Sequence, residues 1–512
     1  MKKLILLVSL LSFSMHSQNV TVNSGRSFTI QSTSSLTVGG NFTNTAGTVT
    51  LNSSSDEFSS LLVSGASSGD ITYNRYVNIV GTGDWDLVGA PVSGMAFSEL
   101  IIDPNIATNG SGVYAVGAYD NSLDTWTNAT NATTGDLALG QGYQMATTNG
   151  GTLSFTGAIA NGDQSVIINN NNAANSGSGR RWNLIANPFA SYLHGNTNAD
   201  GTNNFLTVNT AAIDDNFEAI YGWKADGTGY EIYNNSSTTT YIAPGQGFFV
   251  AAAGSGADQT ISFTQAMQTV TGADDFISGR IMNPTSSEFL LKLYEDEILI
   301  DNTRFYFDND LTLGLDPGYD AGHFNQDASL MSRLVEEDEG IGFAINAMGS
   351  DALGGVSIPL EVNQLSNVPF RISLEDSSIA PDIEVQLEDR LLETLTLLND
   401  EDFTLTAEDD LIGIGRFYLH LGNVTLGVND PEDSYVRVYK PNNSDYIAIE
   451  GLVNIQKARI KLYNLIGQEI IHKVLSNNQT NYRISTQGIP QGVYVIKLQF
   501  ENSKITKKLI IN

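Results

Sequence analysis

The chain has 512 residues, no cysteine, 25 Lys and Arg against 56 Asp and Glu, and a formal net charge of −31. That excess of acid repels nucleic acid and anionic lipid, so neither is an expected partner. The absence of cysteine excludes disulfides, and stability in an oxidising compartment then rests on apolar cores and bound ions. Runs of Val, Ile, Thr, Tyr and Phe separated by clusters of Gly, Asn, Ser and Thr predict an all-β, multidomain chain.

The N-terminus opens with Met1-Lys2-Lys3, then the apolar run Leu4 to Phe13, then Ser14-Met15-His16-Ser17. A basic start, a short apolar stretch and small residues make a secretory signal peptide (1–17), with cleavage expected after Ser17. No later stretch approaches the roughly 18 apolar residues of a spanning helix, so no transmembrane segment is expected.

Residues 18–72 alternate apolar and polar side chains in short segments punctuated by Gly25, Gly39-Gly40 and Gly47: Ser27–Ile30, Ser35–Val38 and Thr48–Leu51. They predict solenoid-like β rungs. Residues 73–170 and 180–272 form a divergent tandem repeat. Trp85-Asp86-Leu87-Val88 answers Trp182-Asn183-Leu184-Ile185, and Gly140-Gln141-Gly142-Tyr143 answers Gly245-Gln246-Gly247-Phe248. Each copy is the size of one β-sandwich, and the Asn- and Ser-rich stretch 169–179 separates them as a linker or long loop. Trp126 and Trp223, at matching places in the two copies, are candidates for a glycan-stacking platform. Trp85 and Trp182, which open apolar strands, read as core.

Residues 273–428 form an acidic β domain with strands expected at Phe289–Tyr294, Gly342–Asn346, Phe370–Leu374, Val385–Arg390 and Gly415–Leu421. Asp308, Asp310, Asp316 and Asp320 lie in a turn-rich stretch, and hard oxygen ligands so spaced are the candidate Ca²⁺ site. They do not follow the EF-hand spacing. Glu336-Glu337-Asp338-Glu339 and Asp400-Glu401-Asp402 read as solvated turns. The sequence holds no His-Glu-x-x-His, Gly-x-Ser-x-Gly or Gly-Lys-Ser/Thr motif. No catalytic residue is named, and a glycosidase carboxylate pair among so many acids stays open.

Residues 434–512 invert the charge, with 11 Lys and Arg against 4 Asp and Glu, a net of +7; the stretch between residue 17 and this tail carries −40. Short alternating strands and turns at Leu465–Gln468 and Gly488–Gly492 predict a small immunoglobulin-like β-sandwich. The segments Ala458–Glu469, Gly492–Leu498 and Thr506–Ile511 resemble the type A C-terminal sorting domain of the type IX secretion system of Bacteroidota. The acidic domain before it, from its Gly318-Tyr319-Asp320-Ala321 segment to Arg416-Phe417, resembles a β-rich domain that often precedes that sorting domain. The resemblance implies transport to the periplasm and recognition by the type IX machinery. It further implies passage across the outer membrane, removal of the tail near 429–440, and release or attachment to surface lipopolysaccharide. Gly467, Gln468, Gly492, Tyr494, Lys507 and Lys508 are the expected recognition residues, Gly467 and Gly492 also reading as plain turn residues. For the remainder two readings stay open. One is a non-catalytic adhesin or matrix protein; the other binds or degrades polysaccharide.

Overall fold

The computed structural model describes residues 14–79, 81, 85–171, 178–224, 229–254, 257–272, 275, 287–422, 436–440, 444–452, 457–475, 481–500 and 503–511. The apolar leader run, most of the stretch expected to separate the repeats and most of the expected tail-removal region lie outside the described residues. The fold is all-β and falls into two compact units, Met1–Ile281 and Met282–Asn512.

The first unit begins with nine strands: β1 (Ser14–Ser17), β2 (Val20–Asn23), β3 (Ser27–Ile30), β4 (Ser35–Val38), β5 (Phe42–Thr45), β6 (Thr48–Asn52), β7 (Ser60–Val63), β8 (Ser67–Ser68) and β9 (Asp70–Val77). They make three parallel sheets, β1-β4-β7, β2-β5-β8 and β3-β6-β9, so the chain winds three times around a three-sided solenoid. Register stacks like on like, with Leu36 on Leu61, Val38 on Val63 and Ile30 on Leu51. Alternation sends these side chains inward, where Val38 and Leu51 are fully buried. At one corner an asparagine ladder links the turns: Asn41 N–H donates to Asn19 Oδ1 (2.7 Å) and Ala66 N–H to Asn41 Oδ1 (2.9 Å).

Strand β9 has a second role. Its other edge pairs antiparallel with β14 (Gly151–Ala158), so the solenoid wall runs directly into the first repeat. The two share one core, from Leu36 and Phe42 to Val88, Met145 and Phe155. The first repeat contains β10 (Asp86–Val88), β11 (Val113–Asp120), β12 (Thr125–Thr130), β13 (Tyr143–Met145) and β14. The second contains β15 (Gln164–Asn169), which lies before the expected boundary at 170 but pairs within this copy, and β16 (Trp182–Ala186), β17 (Tyr192–His194), β18 (Ile220–Trp223), β19 (Tyr230–Tyr233), β20 (Tyr241–Ile242), β21 (Gly247–Ala251) and β22 (Asp258–Phe263). Sheet order is β10-β13-β11-β12 in one and β16-β21-β18-β19 in the other, the same topology twice. The partner pairs β9–β14 and β15–β22 also correspond.

The repeats meet through an exchange that is two-fold in character. Val88 bridges to Gln246, and Ile185 to Gln141. Gly89 N–H donates to Gly245 O, and Ala186 N–H to Gly140 O, both at 2.8 Å. This explains the recurring Gly-Gln-Gly. A Cβ on Gly142 would stand 2.6 Å from Leu184 Cγ and 2.8 Å from Ile185 O, and one on Gly247 would stand 2.7 Å from Leu87 C. Only glycine lets the two backbones approach so closely.

In the second unit one eleven-stranded sheet runs from an edge at Thr394–Leu397, through Val385–Asp389, Phe417–Leu421 and Val356–Val362, to the other edge at Phe403–Thr406. Phe403 at one edge meets Phe417, near the other, with ring centroids 5.7 Å apart. The sheet therefore curls around a single core that includes Phe289, Leu360, Leu387 and Phe403. After it, seven strands form two antiparallel sheets around another core of Ile447, Ile449, Ile460, Leu462, Ile496 and Leu498. Arg437–Tyr439, Tyr446–Glu450 and Tyr482–Ser485 make the smaller sheet. The larger runs Glu469–Leu475, Ala458–Asn464, Gly492–Phe500, Ser503–Ile511.

Candidate functional site

The C-terminal sandwich gathers most of the expected recognition residues at one end. Gly467 takes φ +83° in the turn between two strands, and its N–H donates to Asn464 O (2.9 Å). Gln468 N–H donates to Asn464 Oδ1 (2.9 Å). This rigid turn holds Leu465 and Ile466 at its tip, 74% and 86% exposed. Register places Tyr494 opposite Asn464 and Leu509 opposite Tyr494, so Gly492, Tyr494 and Lys508 lie at the same end. Tyr494 is buried, and its hydroxyl donates to Pro490 O (2.7 Å), which ties the neighbouring turn to the core. Lys507 and Lys508 are adjacent in a strand and so point to opposite sides. Lys507 looks toward Asp338 and Glu339 of the preceding domain; burial pushes its pKa down, and those carboxylates pull it back up.

That preceding domain holds the sandwich by a buried charge cluster. The Arg333 side chain is 3% exposed. Its Nη1 donates to Glu361 (3.0 Å), and its Nη2 donates to Glu450 (2.8 Å) and to the Tyr439 hydroxyl (3.0 Å). Asp338 lies 3.5 Å from Nε. Tyr439 in turn donates to Glu450 (2.8 Å). Arg333, Asp338 and Glu361 belong to the acidic domain; Tyr439 and Glu450 belong to the sandwich. Arg437 adds a bond to Val335 O (3.1 Å), and Asn481 one to Ile412 O (2.7 Å). Gly340 lies so close beneath the Tyr439 ring that any Cβ there would collide with it. The turn at 336–339, expected to be solvated, thus places Asp338 in the joint, 5% exposed. Burial pushes Glu361 up, against the pull of Arg333. Sequence reasoning missed this cluster because Glu450 joins Arg333 across 117 residues.

The candidate glycan residues sit where the repeats meet. Trp126 faces Tyr119 across a strand pair, centroids 5.2 Å apart, and Trp223 faces Tyr230 at 5.0 Å. Phe249 lies between them, 5.1 Å from Tyr119, 6.1 Å from Trp126 and 5.9 Å from Tyr230. The five rings form one band across both copies, with Phe249 buried and Trp126 38% exposed. Trp182 is buried against Phe217 and Tyr221.

The four calcium candidates do not converge. Asp316 Oδ2 accepts from Thr312 N–H (2.7 Å), while Asp320 accepts from Asp316 N–H and Ala347 N–H, each at 2.7 Å. Asp308 and Asp310 are exposed. The Asp316 and Asp320 carboxylates shape the turn, and burial pushes Asp320 up to about 8. Among the described residues no group of three or more His, Asp and Glu side chains is arranged to hold a metal ion. The imidazoles are scattered: His420 reaches Glu388 (3.0 Å), His323 reaches Asp301 (3.2 Å), and His472 lies 3.4 Å from Glu469. No helix among the described residues is long and apolar enough to cross a membrane.

Comparison with known proteins finds two family matches, the first spanning both compact units and the second confined to the C-terminal sandwich. Residues 7–420 match the family described as "Domain of unknown function (DUF8693)", and residues 438–512 match the "Secretion system C-terminal sorting domain". No curated protein matches. A solved structure titled "Crystal structure of tetra-tandem repeat in extending region of large adhesion protein" aligns at 11% identity over 80% of this chain and 92% of its own. Its TM-score is 0.11, too low to support an argument.

Proposed function

The chain belongs to the family described as Domain of unknown function (DUF8693) and ends in a type IX sorting domain, and from that premise we propose a non-catalytic adhesin or matrix protein exported to the cell surface or beyond. The exporting cell in this reading is of the Bacteroidota, and the tail's partner is the type IX machinery. The observation that carries it is the folded sorting sandwich at the C-terminus, with its turn 464–468 presented at one end. A short solenoid and two repeats locked by backbone contacts make a stiff display scaffold, and the −40 charge of residues 18–433, which include the acidic domain, keeps the exported chain soluble outside the cell. Surface lipopolysaccharide is the proposed attachment point after the tail is removed.

The polysaccharide-binding reading draws support from the aromatic band at Trp126, since half-exposed rings suit stacking on sugars. One experiment separates the two. Purified protein is incubated with a panel of polysaccharides, and bound protein and released sugar are measured together. The adhesin reading expects no released sugar and no selective binding that depends on Trp126 and Trp223. Release, or selective binding lost in the Trp126→Ala variant, would replace it with the glycan reading.

A further inference from the structure

The two outer faces of the sorting sandwich differ. The smaller sheet presents Arg437 and Tyr439 to the acidic domain, which bonds both. The larger sheet turns its outer face away from the shared core, and that face is basic. Register sets Arg459 beside Gln499, with Lys504 next in the row, and Lys461 beside Lys497. Lys508 lies in the following row, opposite Val495. Cations on such a sheet stand about 5 Å apart across strands and about 7 Å along them. Among the described residues Glu469 is the one acid of the array, and it is bonded to Lys461 (2.8 Å). Tyr463 stands in the middle with Lys497 Nζ 5.2 Å from its ring centre. Arg459, Lys461, Tyr463, Lys497, Gln499 and Lys504 line a depression of about 590 Å³.

We propose that this face binds an acidic polysaccharide. Rows of Lys and Arg at strand spacing match anionic groups repeated along an extended chain better than a single phosphate or carboxylate. Counterion release then supplies much of the affinity, as it does for other polyanions. Tyr463 offers a ring on which a sugar face can stack, with Lys497 able to reach a neighbouring acid. An acidic protein surface would use the lysines but not the ring. The body of this chain, at −40, would repel a polyanion elsewhere, which focuses binding on this face. The inference concerns the tail alone and holds whichever reading of the remaining chain is right.

The test uses the full chain with polygalacturonate, dextran sulfate, neutral dextran and inorganic polyphosphate at low salt. Binding to the two acidic polysaccharides and not to neutral dextran is expected, weakening steeply as salt rises. The double variant Lys461→Glu with Lys497→Glu should lose at least tenfold in affinity. Lys473→Glu, one such reversal on the opposite side of a neighbouring strand, should lose far less than the single Lys497→Glu variant. Tyr463→Ala should weaken polysaccharide binding severalfold and leave polyphosphate binding unchanged. No binding, an equal loss in the Lys473→Glu control, or a Tyr463→Ala effect as large on polyphosphate would overturn the proposal. Thermal unfolding of each variant at the wild-type midpoint rules out a folding defect, because these side chains lie outside the core.

Discussion

Between the two repeats, contact is made by backbone: Gly89 bonds Gly245, Ala186 bonds Gly140, and glycines keep side chains out of the way. Between the acidic domain and the sorting sandwich, contact is made by charge: one buried guanidinium is shared among Glu361, Glu450 and Asp338. In the first joint duplicated strands meet in fixed register, and buried Arg75 adds a bond to Pro244 O (3.0 Å) and an ion pair with Asp275 (2.8 Å). The second can be loosened by anything that changes charge, because a buried ion network is costly once one partner is lost. A tail meant for sorting has reason to be held by the second kind of joint.

The largest expected effect comes from removing the shared cation. Arg333→Met leaves three carboxylates around an apolar side chain and should destabilise the second unit by about 3–5 kcal/mol, read by chemical denaturation. A loss below about 1 kcal/mol would mean that the cluster does not hold the joint. Gly142→Val tests the other joint. Its side chain would press into Leu184 and Ile185 and should cost about 1–3 kcal/mol, with the same cost at low and high salt. A cost that shrinks with salt would erase the contrast. Trp126→Ala should cost less, about 0.5–1.5 kcal/mol, because the ring is partly exposed and gives up chiefly its contacts with Tyr119 and Phe249.

The subtlest effect is on pH. The Asp320 pKa of about 8 in the fold lies above the roughly 3.9 of an unfolded aspartate, so the fold favours the neutral acid. Its contribution to stability is complete below about pH 3.9 and drains away as pH rises toward 8. Asp320→Asn, permanently neutral, should be less stable at pH 5 because an amide cannot accept both backbone bonds. It should also show a flatter fall in unfolding midpoint from pH 5 to 8. An unchanged slope would show that Asp320 is ionised throughout.

Much of the fold could be read from the sequence, because period-two alternation is a local signal. Ile460 and Leu462 are buried as their spacing predicts, and Leu36 and Val38 point into the solenoid. The Gly-Gln-Gly match was visible as a repeat, but its reason was not, since each motif serves the opposite copy. The parallel stacking of rungs around a three-sided solenoid also emerges only from pairing across 21 or more residues. Asp338 was misread for the same reason: an acidic turn looks solvated until Arg333 and the sorting domain close over it. Lys507 and Lys508 could have been separated from sequence, because neighbours in a strand face opposite ways. The backbone N–H groups that bond Asp316 and Asp320 are not legible in the spacing of the 308–320 aspartates, because Ala347 lies 27 residues from Asp320.

The most direct measurement concerns export. The full chain and a version ending at Gly422 would be expressed in a cell with a working type IX system, and each would be assayed in periplasm, cell surface and medium. The full chain should appear at the surface or in the medium while the shortened one accumulates in the periplasm. Equal export of both would contradict a sorting role for the C-terminal sandwich.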